Sequence, residues 1–313
     1  MAAKALYDLR DIVALARRAS MSTTYKPALL KAIVRIVGRQ PMTEIPLTAI
    51  GAEFTKLYWN QTVVFHLRQA AVISKEPEVL RAIRGASERF NVRELTKLPN
   101  RAKNEIDRKM ARILTINVLE RFHASKPSHM PPLYRWNSGD DTIALSTAAL
   151  AFIEMEGRAL EILANYWWAK YLEKVNLLAP LIIDKVERDG ARRGSLGKFL
   201  RVLRQIDEAK CFYCGRDLTA DVRVEVDHVL PWTFLLTDQI WDLVLACGAC
   251  NAAKSDRLPE RLFIDRLIAA NQRRSKERLP TGISPMTTAD EIVRLYEAAI
   301  SLEWPRFWSP AVD

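Results

Sequence analysis

The sequence predicts a mainly α protein in two parts, a helical N-terminal domain over residues 1–185 and a C-terminal domain over 186–313 whose core is a compact unit at 210–257 with flanking helices. Three observations carry this. Apolar residues recur at helical spacing through most of the first half, in stretches parted by prolines. The runs 223–226 and 243–246 alternate or concentrate β-formers as paired strands do. All four cysteines fall within forty residues around those runs, as two CxxC pairs.

The elements follow in order. An amphipathic stretch runs from Ala5 to Arg18. Ser22-Thr23-Thr24 is a helix start signal, Pro27 is tolerated in the first turn, and Leu29, Leu30, Ile33, Val34 and Val37 form the apolar stripe behind it. Further helices are expected at 48–59, 78–90 and 101–123, separated by Pro77, Pro99 and the prolines of 127–132. Residues 133–145 read as a hairpin turning at Ser138-Gly139-Asp140. A long helix over 148–174 carries Trp167 and Trp168, read as core packing rather than a base-stacking platform. Pro180 and the polar run 188–194 suggest the domain join near 185. Residues 190–198 resemble a phosphate-binding loop only superficially, because Phe199 stands where a magnesium-binding hydroxyl belongs, so they are read as a loop before a helix at 196–206. A helix at 259–271, a basic segment at 273–278 and a last helix to Leu302 complete the chain, with Thr288 and Glu291 as its capping box.

Composition narrows the function. No stretch approaches the roughly 18 apolar residues of a membrane span, and no leader is recognisable, so a cytoplasmic protein without a membrane partner is expected. Lys and Arg outnumber Asp and Glu by 47 to 37, a net charge of +10 that favours polyanionic partners. The surplus is local: 81–121 holds eleven basic against five acidic residues, and 251–278 holds eight against four. Each could present a stripe to a phosphate backbone, and each could equally be a solvated face.

Cys211, Cys214, Cys247 and Cys250 are too few and too clustered for a disulfide framework. Two CxxC turns can together close a tetrahedral shell, which makes a structural Zn²⁺ the expected ligand. Between the pairs, Arg223 to Val226 runs as a strand into Asp227-His228, residues 243–246 form the returning strand, and a helix opens at Cys250-Asn251. Two strands and a helix thus bring a carboxylate and an imidazole to a strand end. Tyr213 and Trp232 are read as packing around the zinc, and His66, His123 and His129 as packing or surface residues.

Asp227-His228-Val-Leu-Pro, then Asp242-Leu-Val-Leu, then Cys250-Asn251-Ala-Ala-Lys254 resembles the HNH, or ββα-metal, nucleases in their zinc-knuckle branch. The second and third motif positions stand 14 and 23 residues after the histidine, as in the HNH domain of RNA-guided CRISPR effectors. The resemblance implies a ββα-metal domain and hydrolysis of phosphodiester bonds in DNA, double-stranded DNA first, leaving a 5′-phosphate and a 3′-hydroxyl. It implies Asp227 and Asn251 as ligands of a catalytic Mg²⁺ or Mn²⁺ and His228 as general base. Asp242 departs from the family's usual Asn. It can accept the hydrogen bonds that fix the histidine loop but not donate them, and it either enlarges the negative field at the metal or impairs the site. Lys254 shares a helix face with Asn251 and is either a phosphate ligand or a solvated lysine.

Two other readings stay open. The chain is a catalytically silent, zinc-stabilised nucleic-acid-binding module, or it is a nuclease subunit that acts only with an ATPase or sensor partner. The second follows from the association of HNH nucleases with ATPases in prokaryotic anti-phage defence, together with the absence of an NTP-binding motif here.

Overall fold

The computed structural model describes residues 6–70, 76–188, 194–277, 287–305 and 307–310. The chain separates into two compact units, Met1–Leu177 with Ile182–Gly190, and Ala191–Asp313 with Leu178–Leu181. The first contains α1 (Leu9–Arg18), α2 (Tyr25–Arg39), β1 (Glu44–Pro46), α3 (Leu47–Trp59), α4 (Glu78–Phe90), α5 (Asn100–Asn117), β2 (Thr142–Ala144), α6 (Thr147–Val175) and α7 (Ile182–Glu187). The second contains α8 (Gly197–Ile206), β3 (Val224–His228), α9 (Trp232–Leu235), β4 (Leu243–Cys247), α10 (Gly248–Lys254), α11 (Arg261–Arg274) and α12 (Ala289–Ser301).

The first unit is organised around α2, which is buried along most of its length from Tyr25 to Val37. Its principal neighbour is α6, and α3 packs on α5. The α3–α5 crossing requires glycine: a Cβ at Gly51 would overlap the Asp107 carbonyl and lie 3.0 Å from the Ala111 nitrogen. Trp168 is 1% exposed, and its indole N–H donates to Gln69 Oε1 at 2.9 Å, so the paired tryptophans are core residues. Thr24 precedes α2, as its start signal predicts. Its hydroxyl turns inward to Gln69 at 2.7 Å and Tyr58 at 2.8 Å instead of capping the helix. The fully buried Lys31 donates to the Val186 carbonyl at 2.8 Å, tying α2 to the last turn of α7.

Two expectations are corrected here. The helix expected over 101–123 ends at Asn117, because Val118 leaves helical geometry (φ −127°, ψ −49°). That break buries Leu119 and Phe122, and Tyr134 Oη donates to the Leu119 carbonyl at 2.9 Å. The hairpin at 133–145 turns at Gly139 (φ +101°), but only Arg135 and Ala144 exchange backbone hydrogen bonds across it. The ladder partner of β2 is the distant β1, in the register Ile45↔Ile143. Among the described residues no helix is long and apolar enough to cross a membrane.

In the second unit β3 and β4 form an antiparallel pair with Asp227 opposite Val244 and His228 opposite Leu243. Strand alternation gives the pair two faces. Val224, Val226, Leu243 and Leu245 pack with Phe199, Val202 and Leu203 of α8. Val244 and Ala246 join the larger core formed with Phe263, Ile264 and Leu267 of α11 and Ile292 and Tyr296 of α12. Thr288 caps α12 through a bond from Glu291 N at 3.2 Å, while the Glu291 carboxylate pairs with Arg294, so only half of the capping box is used. Residues 190–193 of the 190–198 loop and Arg278 of the basic segment lie outside the described residues.

Candidate functional site

The first cysteine pair lies in a turn closed by the Gly215 N–H on the Cys211 carbonyl at 2.9 Å, with Gly215 at φ +73°. Phe212 N donates to Leu245 O at 2.9 Å, which fastens this turn to β4. The second pair spans the end of β4 and the first turn of α10. All four sulfurs lie within 4.8 Å of one another, and Cys214 Sγ is 4.0 Å from Cys247 Sγ. Thiolates at the corners of a zinc tetrahedron, with Zn–S about 2.3 Å, stand about 3.8 Å apart, so the cluster fits Zn²⁺. The Cys247 backbone N–H also points to Cys211 Sγ at 3.3 Å. Burial pushes the Cys211 and Cys250 thiols upward, a cost that a central dication would remove.

The hairpin and α10 hold the remaining side chains. Asp227 is 3% exposed, and its Oδ2 accepts from Tyr213 Oη at 2.6 Å and lies 3.0 Å from Lys254 Nζ. Lys254 also donates to the His228 carbonyl at 2.6 Å and is itself fully buried. Neither sequence reading of Lys254 matches its position. It is not solvated and it does not reach outward: it clamps α10 to the end of β3 while neutralising Asp227. Burial and the Asp227 charge hold the Tyr213 phenol well above its usual range, so it remains a donor.

Asp242 is fully buried; its Oδ1 accepts from Leu230 N at 2.8 Å, and its carbonyl accepts from Val229 N at 2.9 Å. Both bonds fix the backbone immediately after His228. They require an acceptor, which Asp supplies as well as Asn would. His228 is 1% exposed and its Nε2 lies 3.1 Å from Asp238 Oδ1. It is the last residue of β3, directly after Asp227. Asn251 is half-buried and its Nδ2 donates to Glu225 Oε2, which leaves the amide oxygen as the end able to ligate a cation.

The side chains of the predicted site residues therefore make separate contacts, Asp227 with Lys254 and Tyr213, Asn251 with Glu225, His228 with Asp238, and Asp242 with the loop after His228, while Lys254 also joins the His228 carbonyl. Among the described residues, the four thiols are the one gathering of three or more Cys, His, Asp or Glu side chains at metal-ligating distance. The oxygen donors Glu225 and Asp227 on one strand face, with Asn251 on the adjoining helix, are the hard ligands a Mg²⁺ or Mn²⁺ accepts, and such ions need only one or two protein carboxylates. Sequence reading missed Glu225, Asp238 and the contact of Tyr213 with Asp227. Only Glu225 carried a signal, its place two residues before Asp227 in an alternating strand.

Residues 211–260 match the family model described as HNH endonuclease. Comparison with curated proteins and with solved structures finds no match. The second unit of this chain thus carries, at 211–260, a segment that matches the HNH endonuclease family and gathers four cysteines that fit a zinc knuckle.

Proposed function

We propose that the chain is a metal-dependent endonuclease that hydrolyses phosphodiester bonds in double-stranded DNA, serving as an effector of anti-phage defence or restriction in the cytoplasm. The observation that carries the reading is the Lys254 clamp, which holds the helix bearing Asn251 against the strand end bearing Asp227 and His228. Asp227 and Asn251 would hold the Mg²⁺ or Mn²⁺, with Glu225 fixing the Asn251 amide. Such a cation supplies charge stabilisation for the phosphorane-like transition state. His228 takes the proton of the attacking water, the new P–O bond forms, and the bond to the 3′ oxygen breaks. That oxygen is protonated from solvent, leaving a 3′-hydroxyl and a 5′-phosphate. Asp242 keeps the loop after His228 in place through Val229 and Leu230. The helical unit supplies recognition, partner binding or control.

Two observations favour the second reading, a nuclease subunit that acts only with an ATPase or sensor. The imidazole that must meet water is 1% exposed and rests against Asp238, and Asp227 is already neutralised by Lys254. Both features describe a site at rest. Supercoiled plasmid incubated with the protein and Mg²⁺ or Mn²⁺, beside His228→Ala, tests the first reading. Divalent-dependent nicking by wild type alone is the expected result. DNA binding without cutting, in the presence of every candidate partner, would leave the silent zinc module as the function.

A further inference from the structure

We infer that the groove between α4 and α5 of the helical unit is a docking surface for the phosphate backbone of double-stranded DNA. This rests on the nuclease reading for the identity of the polyanion. The groove between the two packed helices has a depression of ≈ 330 Å³ lined by Arg81, Arg89, Glu105 and Lys109, and a neighbouring depression lined by Glu78, Arg108 and Arg112 shares Lys109 with it. Arg81, Arg89, Arg108, Lys109 and Arg112 are all exposed.

Ordinary solvated helices balance such charges with carboxylates three or four residues away. Here the carboxylates at that spacing from Arg81 and Arg108 are Glu78 and Glu105, and each has another partner. Glu78 is 4.0 Å from Lys109, Glu105 pairs with Arg101 at 3.4 Å, and Glu76 pairs with Arg84 at 3.0 Å. Among the described residues, Arg81, Arg89, Arg108 and Arg112 make no ion pair with a carboxylate. Arg81 and Arg89 line one depression and Arg108 and Arg112 the next, with Lys109 common to both, and guanidiniums gathered in this way create a local potential that condenses a polyanion and releases its counterions.

The floor of the groove points the same way. Ala82, Gly85 and Ala86 of α4 face Ala102 of α5 across it. A Cβ at Gly85 would meet nothing within 4 Å, so packing within the molecule does not call for glycine there. Glycine inside a helix costs about 1 kcal/mol relative to alanine. A small floor between basic rims lets a sugar-phosphate chain approach the helix backbone closely.

The test measures binding of the full-length, zinc-loaded protein to a short labelled DNA duplex across a salt series without added Mg²⁺, so that cutting plays no part. The variants are Arg81→Ala/Arg89→Ala/Lys109→Ala, a charge-matched control on α6 (Arg158→Ala/Lys170→Ala/Lys174→Ala), and Gly85→Leu. The groove triple variant should bind about tenfold or more weakly, with the salt slope shallower by about 2 to 3, near 0.9 per lost phosphate contact. Gly85→Leu should weaken binding with no change of charge while raising thermal stability, which separates occupancy of the groove from a folding defect. The α6 control should bind as wild type. Equal losses in the groove and α6 variants, unchanged binding in both, or no binding by wild type would each overturn the inference. The same variants in the plasmid assay with Mg²⁺ or Mn²⁺ separate the two readings: a protein that binds through the groove but never cuts contradicts the nuclease reading alone, and one whose cutting and binding both ignore the groove variants contradicts this inference alone.

Discussion

Lys254 shows how much of the site depends on one buried charge. Its ammonium faces Asp227 at 3.0 Å and the His228 carbonyl at 2.6 Å, with no exposure to solvent. Lys254→Ala would strand the Asp227 carboxylate in the core and should lower unfolding stability by about 3–5 kcal/mol in chemical denaturation. The CNxxK spacing revealed which helix face Lys254 occupies, but not that the end of β3 covers it, because burial there depends on a strand contributed from 26 residues earlier. Asp242 makes the complementary case. Since its Oδ1 is the acceptor for Leu230 N, Asp242→Asn should leave stability within about 1 kcal/mol and retain any cleavage, whereas Asp242→Ala leaves a buried N–H unpaired at about 1–3 kcal/mol. In the helical unit, burial pulls His123 down to about 4, and its Nε2 accepts from Leu133 N at 3.0 Å. The folded imidazole refuses a proton that the unfolded one takes near 6.5, so its contribution is complete above that pH and is lost as pH falls towards 4. Over that window wild type should lose up to about 3 kcal/mol more stability than His123→Gln, measured by denaturant titration at each pH.

At the scale of elements, the hairpin and its helix were readable because each has a local signature: alternation for β3, an apolar run for β4, and a cysteine turn opening α10. The α3–α5 crossing was not readable, because Gly51 looks like any helical glycine until α5 is laid against it. Gly51→Ala should separate the two helices and cost about 1–3 kcal/mol, seen as a lowered melting temperature of the helical unit. The pairing of β1 with β2 was hidden for a similar reason: two three-residue strands separated by about a hundred residues have no periodicity to detect. The first knuckle is fastened to the hairpin, since Phe212 N joins its turn to Leu245 of β4. Cys250→Ser should therefore loosen β3, β4 and α10 together, with amide hydrogen exchange rising there and leaving α2 and α6 protected.

For the molecule as a whole, the sequence forecast a helical protein with a small β element beside a cysteine cluster, and the structure has that architecture, with most of the basic residues of 81–121 on α4 and α5. What composition could not show is that the strand-end carboxylate and imidazole are both closed off, since closure is a property of packing between α10, α8 and the hairpin. Two metal roles, one structural and one catalytic, are the centre of the proposed function. They separate in a single measurement: metal content determined alongside plasmid cleavage after dialysis into metal-free buffer and again after Mg²⁺ is restored. The expected result is one zinc per chain retained throughout, with cleavage absent before Mg²⁺, present after it, and missing in Asn251→Ala despite its full zinc content. Cleavage that persists without a hard cation, or that follows zinc occupancy alone, would contradict the assignment.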